Sequence, residues 1–282
     1  MDASIAANAV VVGVDTSAQA GRAARFAADT AARQGAPLVV AHGWANPLFV
    51  DIATKADVRA AHDHGAKVVA DVLSELSLPV DMTVRTVLEL DDPIHLLSTL
   101  SGDALCVVVG RHAHWAERLW DGETSTGVIK ASTCPIISVP DRWRPRQGGH
   151  GRVVAVVDVD DTSRAVLDVA YAEADWRRAD LVVLHATSTG PSDDGRRDVG
   201  REVAEIVSGF RADYPTVEAR VETGFGTAAG LGGTWSQDAD LVVVGRPHPV
   251  DHERPWVGST TKRLLARTWC PLVVVPSTPV AL

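Results

Sequence analysis

The residues whose types and spacing could bind an anion lie near the carboxyl end of the chain. Gly245 ends an apolar run, a stretch of twelve residues follows, and Gly258 then precedes Ser259, Thr260 and Thr261. Glycine lets a phosphate approach the main chain closely, and Ser and Thr suit the start of a helix. The amide N–H groups of a first helical turn attract anions. This pattern predicts a phosphate-binding cradle, although ordinary helix caps have the same composition.

The elements that must position these residues occur twice, because four segments recur in the same order. The pairs are VVVGVDTS at 10–17 with VVAVVDVD at 153–160, LVVAH at 38–42 with LVVLH at 181–185, DALCVVVGR at 103–111 with DADLVVVGR at 238–246, and CPIISVP at 134–140 with CPLVVVP at 270–276. A repeat of this kind indicates a duplication. We therefore predict two domains, 1–143 and 152–282, with the polar, Pro- and Gly-rich segment 141–151 as the linker.

Each copy alternates strands with helices. Short β-branched runs, such as 10–14 and 105–109, are typical of strands covered on both faces. Apolar residues spaced by three and four predict helices over 20–33 and 58–76, and alternation over 80–87 predicts an edge strand with one wetter face. The fold class predicted is α/β, with two tandem, doubly wound, parallel five-stranded sheets of the Rossmann-like type. The five glycines within 224–233 predict a short or irregular third helix in the second copy.

In such sheets ligands bind beyond the carboxyl ends of the strands, where the strand order reverses. The first and fourth strands end at Asp15 and Gly110 in copy one, and at Asp158 and Gly245 in copy two. An aspartate in this position often only begins the turn into the next helix. Its occurrence in both copies, at the mouth of the predicted crevice, favours a place beside the ligand.

Other polar residues that occur in both copies leave alternatives open. Arg111 and Arg246 follow the strand-ending glycines and either meet phosphate or are solvated. His42 and His185 end the second strands, and we interpret them as hydrogen-bonded histidines near the crevice. No further ligands stand at a suitable spacing, so no metal site is predicted.

Composition restricts the function. The chain has 36 acidic and 27 basic residues, a net charge of −9, which argues against nucleic acid as a partner but does not exclude one anion held by backbone amides. Its apolar runs are too short to span a bilayer, and the first residues lack the basic start of a signal peptide, so we expect a cytoplasmic protein with no membrane partner. Three cysteines, Cys106, Cys134 and Cys270, are an odd number and are interpreted as buried free thiols.

The two-copy order, the aspartate after each first strand and the Cys-Pro-apolar last strands resemble the universal stress protein family over nearly the whole chain. The resemblance implies a fold like that of the adenine nucleotide alpha hydrolases. It also implies ATP, with or without Mg²⁺, as the ligand. ATP-binding members carry Gly, two residues, Gly, nine residues, Gly and Ser or Thr after the fourth strand, with the aspartate by the adenosine.

Copy two matches this pattern except that His248 replaces the middle glycine, where it either crowds the ligand or contacts it. The implied adenine nucleotide site is Asp158, Ala186, Gly245, Arg246, His248, Gly258, Ser259, Thr260 and Thr261.

Copy one departs further. Ala113 replaces the middle glycine, and Glu123, at the place of the cap serine, would repel a triphosphate. A weaker site is expected at Asp15, Gly110, Arg111, Gly122 and Thr124.

No catalytic residue is predicted, since the sequence has no Gly-x-Ser-x-Gly elbow, Walker loop or paired-cysteine redox motif. The function implied by the resemblance is that of an ATP-binding stress-response regulator rather than an enzyme. Two alternatives stay open: a scaffold of the same fold that acts through protein contacts without nucleotide, and a slow ATPase. The regulatory protein partner is not identified by the sequence.

The last strands, 136–139 and 272–275, lie at sheet edges in this topology, and apolar edges need covering. The resemblance implies that the two copies pair through them as an intramolecular pseudo-dimer, and we predict a homodimer in addition.

Static light scattering at tens of micromolar protein should then report a mass near twice 29.9 kDa. A mass of one chain would contradict the homodimer.

Overall fold

The computed structural model describes residues 3–44, 54–111, 124–146, 148–158, 163–187, 193–246 and 257–277. The chain divides into two compact units, unit 1 (Met1–Asp141) and unit 2 (Arg142–Ala281). Within the described ranges, no helix combines the length and the apolar character needed to cross a membrane.

Unit 1 begins with a short 3-10 helix, Ala3–Ala6, and then alternates strands with helices. Its strands and helices are, in chain order, β1 (Val10–Gly13), α1 (Ala18–Gln34), β2 (Leu38–Gly43), α2 (Lys55–Ser74), β3 (Val84–Glu89), α3 (Pro93–Leu100), β4 (Cys106–Arg111), α4 (Thr124–Ala131) and β5 (Ile136–Pro140). The strands pair in parallel in the order β3-β2-β1-β4-β5.

Unit 2 repeats this arrangement. Its elements are β6 (Arg152–Val157), α5 (Ser163–Arg177), β7 (Asp180–Thr187), α6 (Asp193–Ser208), β8 (Ala219–Phe225), α7 (Ala228–Trp235), β9 (Leu241–Gly245), α8 (Ser259–Arg267) and β10 (Leu272–Val275). The order is β8-β7-β6-β9-β10, again with parallel neighbours. The predicted fold class, two tandem parallel five-stranded α/β sheets, is confirmed.

Helices cover both faces of each sheet. In unit 1, α1 and α2 pack on one face, and α3 and α4 pack together on the other, because the chain first moves outward to β3 and then crosses back to β4 and β5. The central strands are consequently sealed from water, as shown by the complete burial of Val10, Val11 and Val12. Full burial of one such side chain contributes about 1.5–3 kcal/mol, so these strands form the core.

Several element boundaries differ from the predictions by one to four residues, and two of the differences have a clear local cause. The strand predicted over 80–87 begins only at Val84, because the Met82 N–H donates to the Pro79 carbonyl in a turn (3.2 Å) and leaves Val80 fully exposed. The helix predicted from residue 58 begins at Lys55, since Thr54 and Asp57 form a capping box.

The glycine-rich third helix of unit 2 is short, as predicted, but regular. α7 has eight residues, as α3 does, and the Thr227 hydroxyl caps it by accepting from the Gly230 N–H. Glycine is needed there for close packing, because a Cβ added at Gly232 would lie 2.9 Å from Cδ2 of Leu264 and 3.0 Å from Cγ2 of Val156. The helix therefore packs directly against β6 and α8.

Unit 1 makes the same contact with large and small residues exchanged. Gly13 occupies the place of Val156 in the repeat, and Leu97 occupies the place of Gly232. A Cβ added at Gly13 would lie 2.7 Å from Cδ1 of Leu97. Each unit thus fills this strand–helix contact with one bulky side chain and one glycine.

The three cysteines are free and buried, in agreement with their interpretation as apolar core residues. Burial raises the pKa of the Cys134 thiol to about 12. This thiol is therefore neutral at physiological pH.

The exchanged contact predicts a coupling that a double-mutant cycle measures. Gly13→Val alone should lower the free energy of unfolding by about 1–3 kcal/mol, because it overpacks against Leu97. The double variant Gly13→Val/Leu97→Ala should lose at least about 1 kcal/mol less unfolding free energy than the sum of the losses in the two single variants. Urea unfolding measures all four proteins. The control pairs Gly13→Val with Leu100→Ala, a buried leucine on the same helix, and should be additive; equal coupling in both cycles would contradict the packing account.

Candidate functional site

The strand order of unit 2 reverses between β6 and β9, which are parallel neighbours with Val156 opposite Val244. Beyond their carboxyl ends lies a cavity of about 220 Å³. Its described lining comes from the ends of β6, β7 and β9 and the starts of α5, α7 and α8, and comprises Val156, Val157, Asp158, Ser163, Val166, Ala186, Ala228, Val244, Gly245, Gly258, Ser259, Thr260 and Thr261. The topology therefore places the cavity where doubly wound sheets bind ligands.

The start of α8 forms one wall. Gly258 is the N-cap, with φ −57° and ψ 158°, a conformation open to any residue, so its relevant property is the missing side chain. The first helical bond runs from the Lys262 N–H to the Gly258 carbonyl (3.0 Å). The amide groups of Ser259, Thr260 and Thr261 accordingly have no carbonyl partner within the helix. These amides, together with the helix dipole, suit an anion in the cavity.

One hydrogen bond ties this helix to the strand. The Thr261 hydroxyl is buried and donates to the Gly245 carbonyl (3.2 Å), which holds the first turn of α8 against the end of β9. In unit 1 the Ser125 hydroxyl donates to the Gly110 carbonyl (3.1 Å) in the same way.

Asp158 also lines the cavity, directly after β6, with 85% of its side chain exposed. Its Oδ1 is 4.0 Å from Nδ1 of the buried His185. That nitrogen lies 3.3 Å from the Val157 carbonyl oxygen, and Nδ1 of His42 lies 2.8 Å from the Val14 carbonyl oxygen. Because a carbonyl only accepts, Nδ1 carries the hydrogen in both rings. The prediction of hydrogen-bonded histidines beside the crevice is confirmed.

The equivalent aspartate of unit 1, Asp15, is also exposed. Oδ1 of Asp15 accepts from the Ser17 N–H (2.8 Å), in the turn that leads into α1. A Cβ added at Gly110 would lie 2.9 Å from Cβ of Gln19 and 3.2 Å from its carbonyl oxygen, so the first turn of α1 lies against the end of β4. Here the strand-end aspartate serves the local turn.

The cavity brings together most of the predicted site residues of unit 2: Asp158, Ala186, Gly245, Gly258, Ser259, Thr260 and Thr261. Arg246 is not part of the described lining; its N–H donates to the Val275 carbonyl (2.7 Å), and burial lowers the pKa of its guanidinium. His248 falls outside the described residues.

In unit 1, Arg111 is 4% exposed, which excludes the solvated alternative for this arginine. Thr124 begins α4, whereas Ala113, Gly122 and Glu123 fall outside the described residues.

Sequence reasoning missed six residues of the described lining, Val156, Val157, Ser163, Val166, Ala228 and Val244. The Ser163 hydroxyl donates to the Asp158 carbonyl and so fixes the start of α5 beside the aspartate. Ala228 is the first residue of α7. The preceding Thr227 is a residue type typical of helix N-caps and could have predicted that a helix starts here, at the end of β8. In the part of the chain that the structure describes, no three His, Cys, Asp or Glu side chains cluster as a metal would require.

Comparison with known proteins agrees with this architecture. The sequence pattern of the universal stress protein family matches residues 7–140 and again 149–276. The chain belongs to the universal stress protein family. A universal stress protein of Mycobacterium tuberculosis is 30% identical over 293 residues, which cover 94% of this chain and 95% of that protein.

Solved structures of the family share the fold. A universal stress protein from Archaeoglobus fulgidus superposes with a TM-score of 0.70 at 16% identity, covering 95% of this chain and 96% of its own. A shorter universal stress protein has been solved in complex with cAMP; it is 25% identical, covers 48% of this chain and 97% of its own, and has a TM-score of 0.37. That protein holds a cyclic adenine nucleotide.

The hydroxyl bond to the end of the fourth strand is predicted to be structural in both units. Thr261→Val and Ser125→Ala should each lower the free energy of unfolding by about 1–2 kcal/mol, because a carbonyl oxygen loses its donor. Urea midpoints at equal protein concentration measure this. Thr260→Val is the matched control, since the Thr260 side chain lines the cavity and should change the midpoint little. An equal loss in the control would assign the effect to helix propensity instead.

Proposed function

We propose that this protein is a nucleotide-responsive stress regulator whose second unit binds an adenine nucleotide, ATP with or without Mg²⁺. The observation that carries the proposal is a cavity lined by the start of α8, by the exposed Asp158 and by apolar residues. Membership of the universal stress protein family supports it.

The lining has the three parts that a nucleotide requires. Val156, Val166 and Ala228 supply apolar surface for a base or a ribose face. The first-turn amides of α8 supply neutral donors for phosphate oxygens. A carboxylate only accepts, so Asp158 suits ribose hydroxyl groups or the adenine amino group and disfavours direct contact with phosphate. The phosphates are thereby directed toward α8.

No single one of these contacts supplies enough binding free energy for a nucleotide, so the parts must act together. A micromolar dissociation constant corresponds to about −8 kcal/mol, whereas one helix dipole contributes about 0.3–1 kcal/mol. Hydrogen bonds to a charged group contribute about 1.5–3 kcal/mol each. Two or three amide–phosphate bonds and burial of the base are therefore sufficient.

Unit 1 is proposed as the weaker site. At the place of Ser259 in the repeat, unit 1 carries Glu123, and a carboxylate there would repel the phosphates of ATP.

Isothermal titration with ATP, ADP and AMP, with and without Mg²⁺, tests the proposal. Ser259 is the first residue of α8, where proline is tolerated, and Gly258 already has the extended conformation that proline requires before it. Ser259→Pro therefore removes one amide donor and the hydroxyl but keeps the helix. It should weaken ATP binding by about tenfold, and Ser259→Ala, which removes only the hydroxyl, should weaken it less.

Asp158→Ala should likewise weaken binding, and its unit 1 counterpart Asp15→Ala should leave the affinity of the tighter site unchanged. Absence of heat at millimolar ATP with Mg²⁺ would reject nucleotide binding and favour the scaffold alternative.

A further inference from the structure

A second unusual group of side chains lies in unit 2, at the opposite end of the sheet from the cavity. Trp269 follows α8 and is 50% exposed, and Cζ of Arg142 lies 4.4 Å from the centroid of its ring. Trp235 ends α7, and Cζ of Arg152 and of Arg220 lie 5.5 Å and 5.9 Å from its ring centroid. Both rings therefore carry arginine on their surface, at a distance typical of cation–π contacts.

These contacts join into one surface. The main-chain N–H of Trp269 donates to Oγ of Ser236 (3.0 Å), the residue that directly follows Trp235. Arg267, which is exposed, packs on α7, since a Cβ added at Gly233 would lie 3.4 Å from its Cβ. We call the six residues Arg142, Arg152, Arg220, Trp235, Arg267 and Trp269 the Arg–Trp surface.

The duplication supplies an internal comparison. In unit 1 the Thr133 N–H donates to Oγ of Ser101 (3.1 Å), which is the same bond at the same place in the repeat. The residues around this bond differ between the units. Unit 1 has Leu100 and Thr133 at the positions of Trp235 and Trp269, and Ala9 at the position of Arg152. The fold forms without the tryptophans and the arginine, so the Arg–Trp surface is an addition of unit 2.

The chemistry of this surface suits a carboxylate-bearing partner. Tryptophan and arginine are the residues most enriched at the energetic centres of protein interfaces. A guanidinium lying over an indole ring still presents N–H groups at its edge, and these match the two oxygens of a carboxylate. The chain as a whole is acidic, with a net charge of −9, so a group of four arginines is a local exception that steers an acidic segment to this place.

The same details disfavour nucleic acid. Acidic side chains border the surface. Oε1 of Glu222 lies 3.3 Å from Nε of Arg220. Asp238 is exposed three residues after Trp235, and Oδ2 of Asp240 accepts from the main-chain N–H of Arg152 (3.2 Å). They would repel a continuous phosphate backbone, whereas a short peptide can place its carboxylates between them.

We propose that the Arg–Trp surface of unit 2 docks an acidic peptide segment of a partner protein, in which carboxylates pair with the arginines and an apolar side chain packs on Trp269. The surface is separate from the nucleotide cavity, so this inference stands whether or not the cavity binds nucleotide.

Fluorescence anisotropy of a labelled peptide, EELLEE, titrated with the full-length chain tests the proposal. Trp269→Thr and Trp235→Leu introduce the residues that unit 1 carries, and each should weaken binding by at least about fivefold. Arg142→Gln, a half-buried position, gives a second measure that does not depend on tryptophan packing. Raising the salt from about 50 to about 300 mM should weaken binding, because charge pairing is screened.

Trp176→Leu is the matched control, because Trp176 is also exposed but belongs to α5, on the other face of the sheet from α7 and α8. It should bind EELLEE as the unchanged chain does. The charge-reversed peptide KKLLKK should not bind. Far-UV circular dichroism and urea midpoints verify that each variant is folded.

Three results would overturn the proposal. The first is no EELLEE binding up to about 1 mM, the weakest affinity that supports a specific peptide contact. The second is equal binding by Trp269→Thr and Trp176→Leu. The third is tighter binding of octauridylate than of EELLEE, which would make the surface a site for nucleic acid. Self-association that Trp269→Thr abolishes, without peptide binding, would assign it to a second copy of the chain.

Discussion

The reversal of strand order between the first and fourth strands of each unit is the constraint on which the remaining structure depends. Neighbouring parallel strands normally have their carboxyl ends covered by the helices that follow them, but at the reversal those helices leave toward opposite faces. In unit 2 the gap lies between β6 and β9, and it is lined by Asp158, Gly245 and the start of α8. A carboxylate and the start of a helix line the same cavity there because the topology separates the elements that carry them.

Duplication has preserved this framework while the two units changed in detail. The exchange of Gly13 and Leu97 for Val156 and Gly232 keeps one strand–helix contact filled by a single branched apolar side chain, as close packing requires. The strand-end aspartates are kept in both units: Asp15 and Asp158 are both exposed, and Asp158 lines the cavity of unit 2. Equivalence in the repeat therefore carries over both the fold and the position of the aspartate.

Helix α7 connects the two features of unit 2 that have proposed roles. Its first residue, Ala228, lines the cavity, and its last, Trp235, belongs to the Arg–Trp surface. Eight residues of helix span about 12 Å, so the two features lie one short, rigid element apart. The glycine at position 232 lets this helix pack directly on β6 and α8, which leaves it little freedom to shift alone.

The sequence by itself determined the duplication, the buried strands, the parallel α/β class and most of the cavity lining of unit 2, because these follow from local patterns of apolar residues and from the helix-start residues 258–261. Only the tertiary structure decided that Arg111 is buried, that the edge strand starts at Val84, and that Arg246 lies outside the described lining. It also brought Arg142 onto Trp269, which is far away along the chain. The physical reason is that burial, solvation and ring contacts depend on which distant segments pack together, and one-dimensional periodicity does not encode those neighbours.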